Sequence, residues 1–178
     1  MSDSASIWEN EYPKSSEYSH FYSTYVQLVH KRNILDTLNE QMHELYTFAN
    51  TLPGEKALFA YQEGKWTPKE IIGHMIDTER VFAFRALAFA RGDQASYPGM
   101  DQDEYMVGNA FNERTLSDIA NEYLAVRIAS LHLFKNMNNE QINRSGKASG
   151  VSFSVRSIPF IIAGHERYHL NFIKEKYL

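Results

Sequence analysis

Apolar residues recur along this chain with the 3.6-residue period of amphipathic helices, in four long stretches. In the first, Leu35, Leu38, Met42, Leu45, Ala49 and Leu52 are separated by 3, 4, 3, 4 and 3 positions, the seam of a bundle helix. Asn33 precedes it as N-cap, and Pro53-Gly54 ends it. The second opens on Thr67-Pro68-Lys69-Glu70. Thr67 caps, Pro68 takes the first helical position, where its missing N–H costs nothing, and Glu70 completes a capping box. Ile72, Met75, Phe82 and Ala86 form its buried stripe, and Arg91-Gly92 closes it. The third opens on Thr115-Leu116-Ser117-Asp118, a capping box with Asp in place of Glu. Its stripe is Ile119, Tyr123, Val126, Leu133 and Met137; Asn138-Asn139 and Ser145-Gly146-Lys147-Ala148-Ser149-Gly150 break it. In the fourth, Ile158, Ile162, His165, His169 and Phe172 are spaced 4, 3, 4 and 3. That helix starts near Ser154 as a candidate N-cap, and Pro159 should kink its first turn unless the helix begins near Ser157.

Ahead of these, Tyr18, Phe21, Tyr22, Tyr25, Val26 and Val29 predict a short aromatic-rich helix laid against the body. Residues 1–17 read as an N-terminal arm, loose up to about Pro13, and residues 18–178 as a single domain. Residues 93–114 carry no clean period, and Tyr97-Pro98-Gly99 signals a turn. The stretch is long for a hairpin connection. It reads as a crossover that lets the second and third long helices run parallel. No internal repeat and no β-alternation stand out. The expectation is an all-α four-helix bundle, about 30 Å long, with a short extra N-terminal helix.

The 178 residues suit one domain, and 43% hydrophobic residues suffice for a core. A net charge of −4 offers no phosphate-seeking face, which argues against nucleic acid. There is no cysteine, so disulfides, thiolate metal sites and a cysteine nucleophile are excluded. Met1 to Glu17 lacks an apolar run, so no signal peptide is expected. No apolar run approaches membrane-spanning length. A soluble cytoplasmic protein is expected.

The anomaly is histidine on a core seam. His165 and His169 are four apart, on one helical face, in positions that should bury leucines. His74 lies in the second helix and is the natural third partner. Two readings follow. The rings are hydrogen-bonded core histidines, or they hold a divalent metal with open coordination positions, the pattern of a catalytic centre. Metal binding is the preferred reading. Bound water would then supply the nucleophile that the chain otherwise lacks.

His165-Glu166-Arg167-Tyr168-His169 also matches H-E-x-x-H, but its surroundings do not fit a zincin. The metzincin extension would place Gly at 172 and His at 175, where Phe172 and Glu175 stand. A thermolysin-type site needs a glutamate further downstream than the nine residues after His169. Glu166 is retained as a candidate contact to metal-bound water, or as a solvated or supporting carboxylate. Glu70 and Asp77, one turn either side of His74, are candidates to orient its ring, with capping and solvation as their simpler roles. Asp101-Gln102-Asp103 begins like a calcium loop but fails at Met106 and Asn112. His20, His30, His43 and His132 read as surface residues. The aromatics near residues 18–25 read as core packing, with pocket lining as the alternative.

Trp66-Thr67-Pro68-Lys69-Glu70-Ile71-Ile72-Gly73-His74-Met75-Ile76-Asp77-Thr78-Glu79, paired with Gly164-His165-Glu166-Arg167-Tyr168-His169 far downstream, resembles the DinB-like superfamily. Phe84-Arg85-Ala86, Arg91-Gly92-Asp93, Pro98-Gly99-Met100-Asp101 and Ser154-Val155-Arg156 fit its branch of metal-dependent hydrolases and bacillithiol-transferase-like proteins. The resemblance covers roughly residues 18–178. It implies an up-down-down-up four-helix bundle and a metal site of His74, His165 and His169, holding zinc or nickel. It also implies a frequent homodimer and chemistry in which the metal activates a low-molecular-weight thiol, or water, toward a small molecule. A non-enzymatic metal- or ligand-binding bundle is the alternative.

Overall fold

The computed structural model describes residues 6–8, 12–30 and 32–178. Where an aromatic-rich helix is expected, a 3-10 turn, His20–Tyr22, carries Phe21 and Tyr22 and leads into the shorter α1 (Ser23–Gln27), which holds Tyr25 and Val26. α2 (Ile34–Thr51) begins where the Asn33 side chain accepts from the N–H groups of Leu35 and Asp36, at 3.1 and 3.2 Å. After the single turn α3 (Gly54–Ala57) comes α4 (Pro68–Ala90), opened by a complete capping box. Thr67 Oγ1 accepts from Glu70 N at 3.2 Å, and Glu70 Oε2 accepts from Thr67 N at 2.8 Å. The crossover carries a two-residue strand β1 (Ser96–Tyr97) and α5 (Gln102–Val107). α6 (Leu116–Lys135) has only half a box: Thr115 accepts from Asp118 N, while the Asp118 carboxylate takes Arg114 instead. α7 (Asn139–Ile142), β2 (Ser145–Ala148) and β3 (Val151–Ser154) lead to α8 (Ser157–Tyr177). The later of the two starts considered for α8 is the observed one. Pro159 therefore falls in the first turn, where no N–H is required.

Contacts along the long helices give their directions. Leu38 lies against Arg127 and Tyr46 against Asn121, so α2 and α6 are antiparallel. Lys69 reaches the Arg114 carbonyl and Glu79 pairs with Arg127, so α4 and α6 are parallel, as the crossover requires. Trp66 meets Tyr177 while Phe82 meets Phe153, so α4 and α8 are antiparallel. Gln41 with Ala163 and Glu44 with Arg167 make α2 and α8 parallel. The result is an up-down-down-up four-helix bundle. Among the described residues, no helix is long and apolar enough to cross a membrane.

The core is two apolar clusters, not one. The first gathers Val26, Ile34, Leu38, Phe82, Phe89, Phe134, Phe153 and Ile158; the second gathers Leu45, Ile72, Met75, Tyr123, Leu170 and Ile173. Each long helix passes from one to the other through a buried polar residue: Gln41, Glu79, Arg127 and Glu166. Arg127, 0% exposed, is the hub. Its Nε and Nη2 donate to Glu79 at 2.8 to 3.1 Å, Nη2 also donates to Glu166 at 2.5 Å, and Nη1 donates to the Leu38 carbonyl at 3.0 Å. Tyr123 donates to Glu166 Oε2 at 2.9 Å, and Gln41 Nε2 donates to the Ala163 carbonyl at 2.9 Å. Burial opposes the charge on Arg127, but the Glu166 and Glu79 carboxylates outweigh it and raise its pKa well above the ordinary range.

Three expectations need correction. β-structure is present: β2 and β3 form an antiparallel hairpin, with β1 parallel to β2. Ser149 and Gly150 turn the hairpin with φ of +54° and +75°, the signature of a type I′ turn. Its four-residue strands, rich in serine and glycine, are too short to show alternation and read as a helix breaker. The buried face of α6 is rotated from the expected stripe: Arg127, Ser130 and Phe134 are buried, while Val126 and Leu133 are only partly so. The N-terminal arm, where described, is docked: Trp8 is buried and donates from Nε1 to the Phe134 carbonyl at 3.1 Å, and Glu17 pairs with Arg156. The remainder of its first eleven residues lies outside the described ones.

Glycine precedes both His74 and His165, and in each case a neighbour sits where a side chain would begin. A Cβ on Gly164 would fall 2.0 Å from the Tyr25 carbonyl oxygen, and one on Gly73 would fall 2.3 Å from the Phe111 ring. Gly164→Ala should cost roughly 1–3 kcal/mol by forcing α1 off α8, and more than Gly73→Ala, whose obstacle is a side chain. Urea midpoints compare the two; equal midpoints for Gly164→Ala and wild type would contradict the close packing of α1. Arg127→Met should cost roughly 3–5 kcal/mol, because it strands two carboxylates in the core. The same titration reads it, and a loss under about 1 kcal/mol would deny the layer its role.

Candidate metal centre

α4 and α8 lie side by side and antiparallel, so a residue two turns into α4 meets the middle of α8. His74 occupies the first position, and His165 and His169 present two rings from one face of the second. All three expected residues converge. His74 Nε2 stands 3.1 Å from His165 Nε2, and His169 Nε2 stands 3.0 Å from it. One ligand atom from each lies within 4.8 Å of the others. Nitrogens bound to one ion at about 2.0–2.1 Å stand roughly 3.0–3.4 Å apart, so the spacing suits a shared cation.

Hydrogen bonding alone does not account for this arrangement. A neutral ring nitrogen offers one N–H or one lone pair. His165 Nε2 has two nitrogen neighbours and can satisfy one of them, whereas a cation placed among the three satisfies every lone pair. Burial lowers the His74 pKa to about 4, against a weak opposing pull from Asp103. Burial, then His74, lowers His169 to about 3, and burial drives His165 well below its ordinary range. At neutral pH all three rings are therefore in the form that binds metal. Aromatic rings hold them in place: Trp66 packs on His74 with centroids 5.1 Å apart, Tyr25 on His165 at 5.4 Å, and Tyr168 on His169 at 5.3 Å.

The residues considered as supports for the imidazoles lie elsewhere. Glu70 is spent on the Thr67 cap, and Asp77 faces Arg80 at 3.7 Å. His74 Nδ1 is buried without a partner among the described residues. Glu166 points into the Arg127 layer through Oε2, and its buried Oε1 has no partner among the described residues. His20, His30, His43 and His132 are exposed.

Two cavities border the triad from different sides. One, about 260 Å³, is lined by Tyr61, Trp66, Asp103, Tyr168, His169 and Phe172. The other, about 230 Å³, includes Tyr22, Tyr25, His74, Thr78, Arg85 and His165. Gln102 borders both. Asp101, which resembled the start of a calcium loop, caps α5 by accepting from Asp103 N at 2.9 Å and Glu104 N at 3.1 Å. That cap sets Gln102 and Asp103 beside the centre. The aromatic segment before α2 divides its labour: Val26 is core, while Phe21, Tyr22 and Tyr25 line the second cavity. Thr78 and Arg85 escaped sequence reading. A usable signal was present, since the α4 stripe jumps from Met75 to Phe82 and the gap holds Thr78 and Glu79.

Comparison with known proteins agrees with this architecture. No curated protein gives a significant match to the chain. Among solved structures, YfiT from Bacillus subtilis, described as a probable metal-dependent hydrolase with an unusual four-helix bundle topology, superposes with a TM-score of 0.67. It shares 13% identity, over 92% of this chain and 89% of that one. At that identity the likeness speaks for the fold. The sequence profile of the DinB superfamily matches residues 37–173, which span α2 through α8 and include all three histidines. The chain belongs to the DinB superfamily.

Proposed function

We propose that this protein is a metal-dependent enzyme, with His74, His165 and His169 holding one divalent cation and a small molecule as substrate. The convergence of three neutral imidazoles, His74 and His165 buried and His169 half-buried, carries the reading. Three imidazoles suit zinc or nickel and leave coordination positions free. When bound, such a cation acidifies a coordinated water or thiol and so supplies a nucleophile at neutral pH. The chain's own residues do the rest. Trp66, Tyr25 and Tyr168 pack against the three rings and hold their orientation. The Arg127 layer fixes the rotation of α8 about its axis, and with it the aim of His165 and His169. We assign Glu166 to that positioning task, since its bonded oxygen faces Arg127 and Tyr123.

Both hydrolysis and thiol transfer use such a centre. The description of YfiT as a hydrolase favours the first. The pair of cavities meeting at the triad favours the second, because transfer needs room for a thiol and for its electrophile. A single-site binding module would need only one.

Protein purified without a nickel-leaching resin should carry about one equivalent of zinc or nickel per chain. His165→Ala should weaken metal binding by more than about 100-fold, beyond the usual effect of losing a supporting residue. Protein that takes up none of Zn, Ni, Fe, Mn or Co ends the proposal. A panel pairing bacillithiol, glutathione or cysteine with a haloarene or epoxide, beside ester and amide substrates, separates transfer from hydrolysis. Turnover should vanish in His165→Ala; silence across the panel with metal bound favours a binding module.

Acid should act through the same rings. Their folded pKa values lie below the ordinary value of about 6.5, so the unfolded chain binds more protons below that pH. Stability is complete above about pH 6.5 and falls as pH drops toward the folded values of about 4 and 3, with metal loss steepening the fall. Urea midpoints measured from pH 7 to 4, with and without chelator, check this; a flat profile in both series contradicts a buried histidine centre.

A further inference from the structure

Arg85 is 4% exposed yet has no carboxylate partner among the described residues. Its one hydrogen bond runs from Nη2 to the Pro98 carbonyl at 2.8 Å, and its guanidinium carbon lies 5.2 Å from the centre of the Phe82 ring. The molecule treats its other buried arginine differently, giving Arg127 two carboxylates. A buried cation without a counter-ion is costly unless something else supplies the charge. Arg85 lines the smaller of the two cavities at the triad, the one that His74 and His165 also border.

A second observation lies in the same cavity. Thr78, one turn beyond His74 on α4, is 6% exposed, and its buried hydroxyl has no hydrogen-bond partner among the described residues. Tyr22 and Tyr25 line the cavity too. Each carries a phenolic hydroxyl that can donate a hydrogen bond. The walls beside these groups are the rings of Phe21 and Phe82, and Ser149 of the left-handed hairpin turn borders the cavity. Hydroxyl and guanidinium donors, with no acidic side chain among the lining residues, make a receptor for an oxyanion. The volume of about 230 Å³ is below the range of roughly 300–1,000 Å³ common for drug-sized ligands, so the occupant is small.

We propose that this cavity is an anion subsite: Arg85, with Thr78 and the Tyr22 and Tyr25 hydroxyls, holds the carboxylate of a small, partly aromatic or apolar substrate. The body of the substrate lies against Phe21 and Phe82. Its reacting group then reaches the edge formed by His74 and His165, a step that rests on the metal-enzyme reading above. The carboxylate subsite itself does not require a metal.

Benzoate and its neutral analogue benzamide test the idea by calorimetry, in buffer free of other carboxylates. Both are titrated into zinc-loaded and chelator-stripped protein. Stripped wild-type protein should bind benzoate at least about tenfold more tightly than benzamide, the scale of one charge-assisted hydrogen bond. Arg85→Met should erase that preference while leaving zinc affinity unchanged, and Arg85→Lys should keep part of it. If the Arg85 variants do not fold, Thr78→Val carries the test, with benzoate weakened about threefold to tenfold and benzamide unaffected. Equal binding of the two probes overturns the proposal. So does benzoate affinity untouched by Arg85→Met or, where that variant does not fold, by Thr78→Val, and so does benzoate binding that disappears on chelation, which would place the carboxylate on the metal. Protein that binds benzoate through Arg85 but takes up no zinc would keep the subsite and lose the metal centre, so the two readings fail separately.

Discussion

Charge buried in a helical bundle must be neutralised inside the bundle, and here Arg127 does it. One guanidinium between Glu79 and Glu166 ties α6 to α4 and α8, and a further bond reaches a backbone carbonyl of α2. Such a layer contributes less to net stability than an apolar replacement could, because desolvation offsets most of the attraction. Its value lies in geometry. Apolar seams tolerate small rotations of one helix against another, whereas a bidentate ion pair does not. Since Glu166 is adjacent to His165, pinning Glu166 to Arg127 sets the direction in which the neighbouring imidazole points.

The triad then follows from helix periodicity. Residues at i and i+4 share a face, so one rotation of α8 aims both of its imidazoles at α4. The two Gly-His pairs draw the surroundings in. Gly164 admits the Tyr25 backbone, which brings α1 and the Tyr25 ring over His165. Gly73 admits Phe111, which seats the end of the crossover against α4. The crossover and the hairpin tip then border the second cavity, through Met100, Gln102 and Ser149. The bundle supplies the rings, and the irregular segments supply what surrounds them.

The four long helices and the starts of the first three were legible in the chain because apolar period and caps are local properties. Asn33, Thr67 and Thr115 cap as their types require, and the parallel course of α4 and α6 followed from the length of the segment between them. The three histidines were legible because polar rings on a core seam stand out against leucine. The hairpin was not, since two four-residue strands rest on pairing with each other and with β1. Nor was the docking of Trp8, whose partner is a carbonyl 126 positions away.

Arg127, Glu79 and Arg85 mark the boundary most clearly. Each sits on a long helix whose existence the sequence determined by itself, and each looks in isolation like a solvated surface charge. Tertiary packing decided that Arg127 and Glu79 would meet in the core, and that Arg85 would be buried with no carboxylate partner among the described residues. The physical reason is that hydrophobic periodicity states which residues lie along a face. It does not state which faces meet, and the environment of a charge is set by the residues that arrive from other helices.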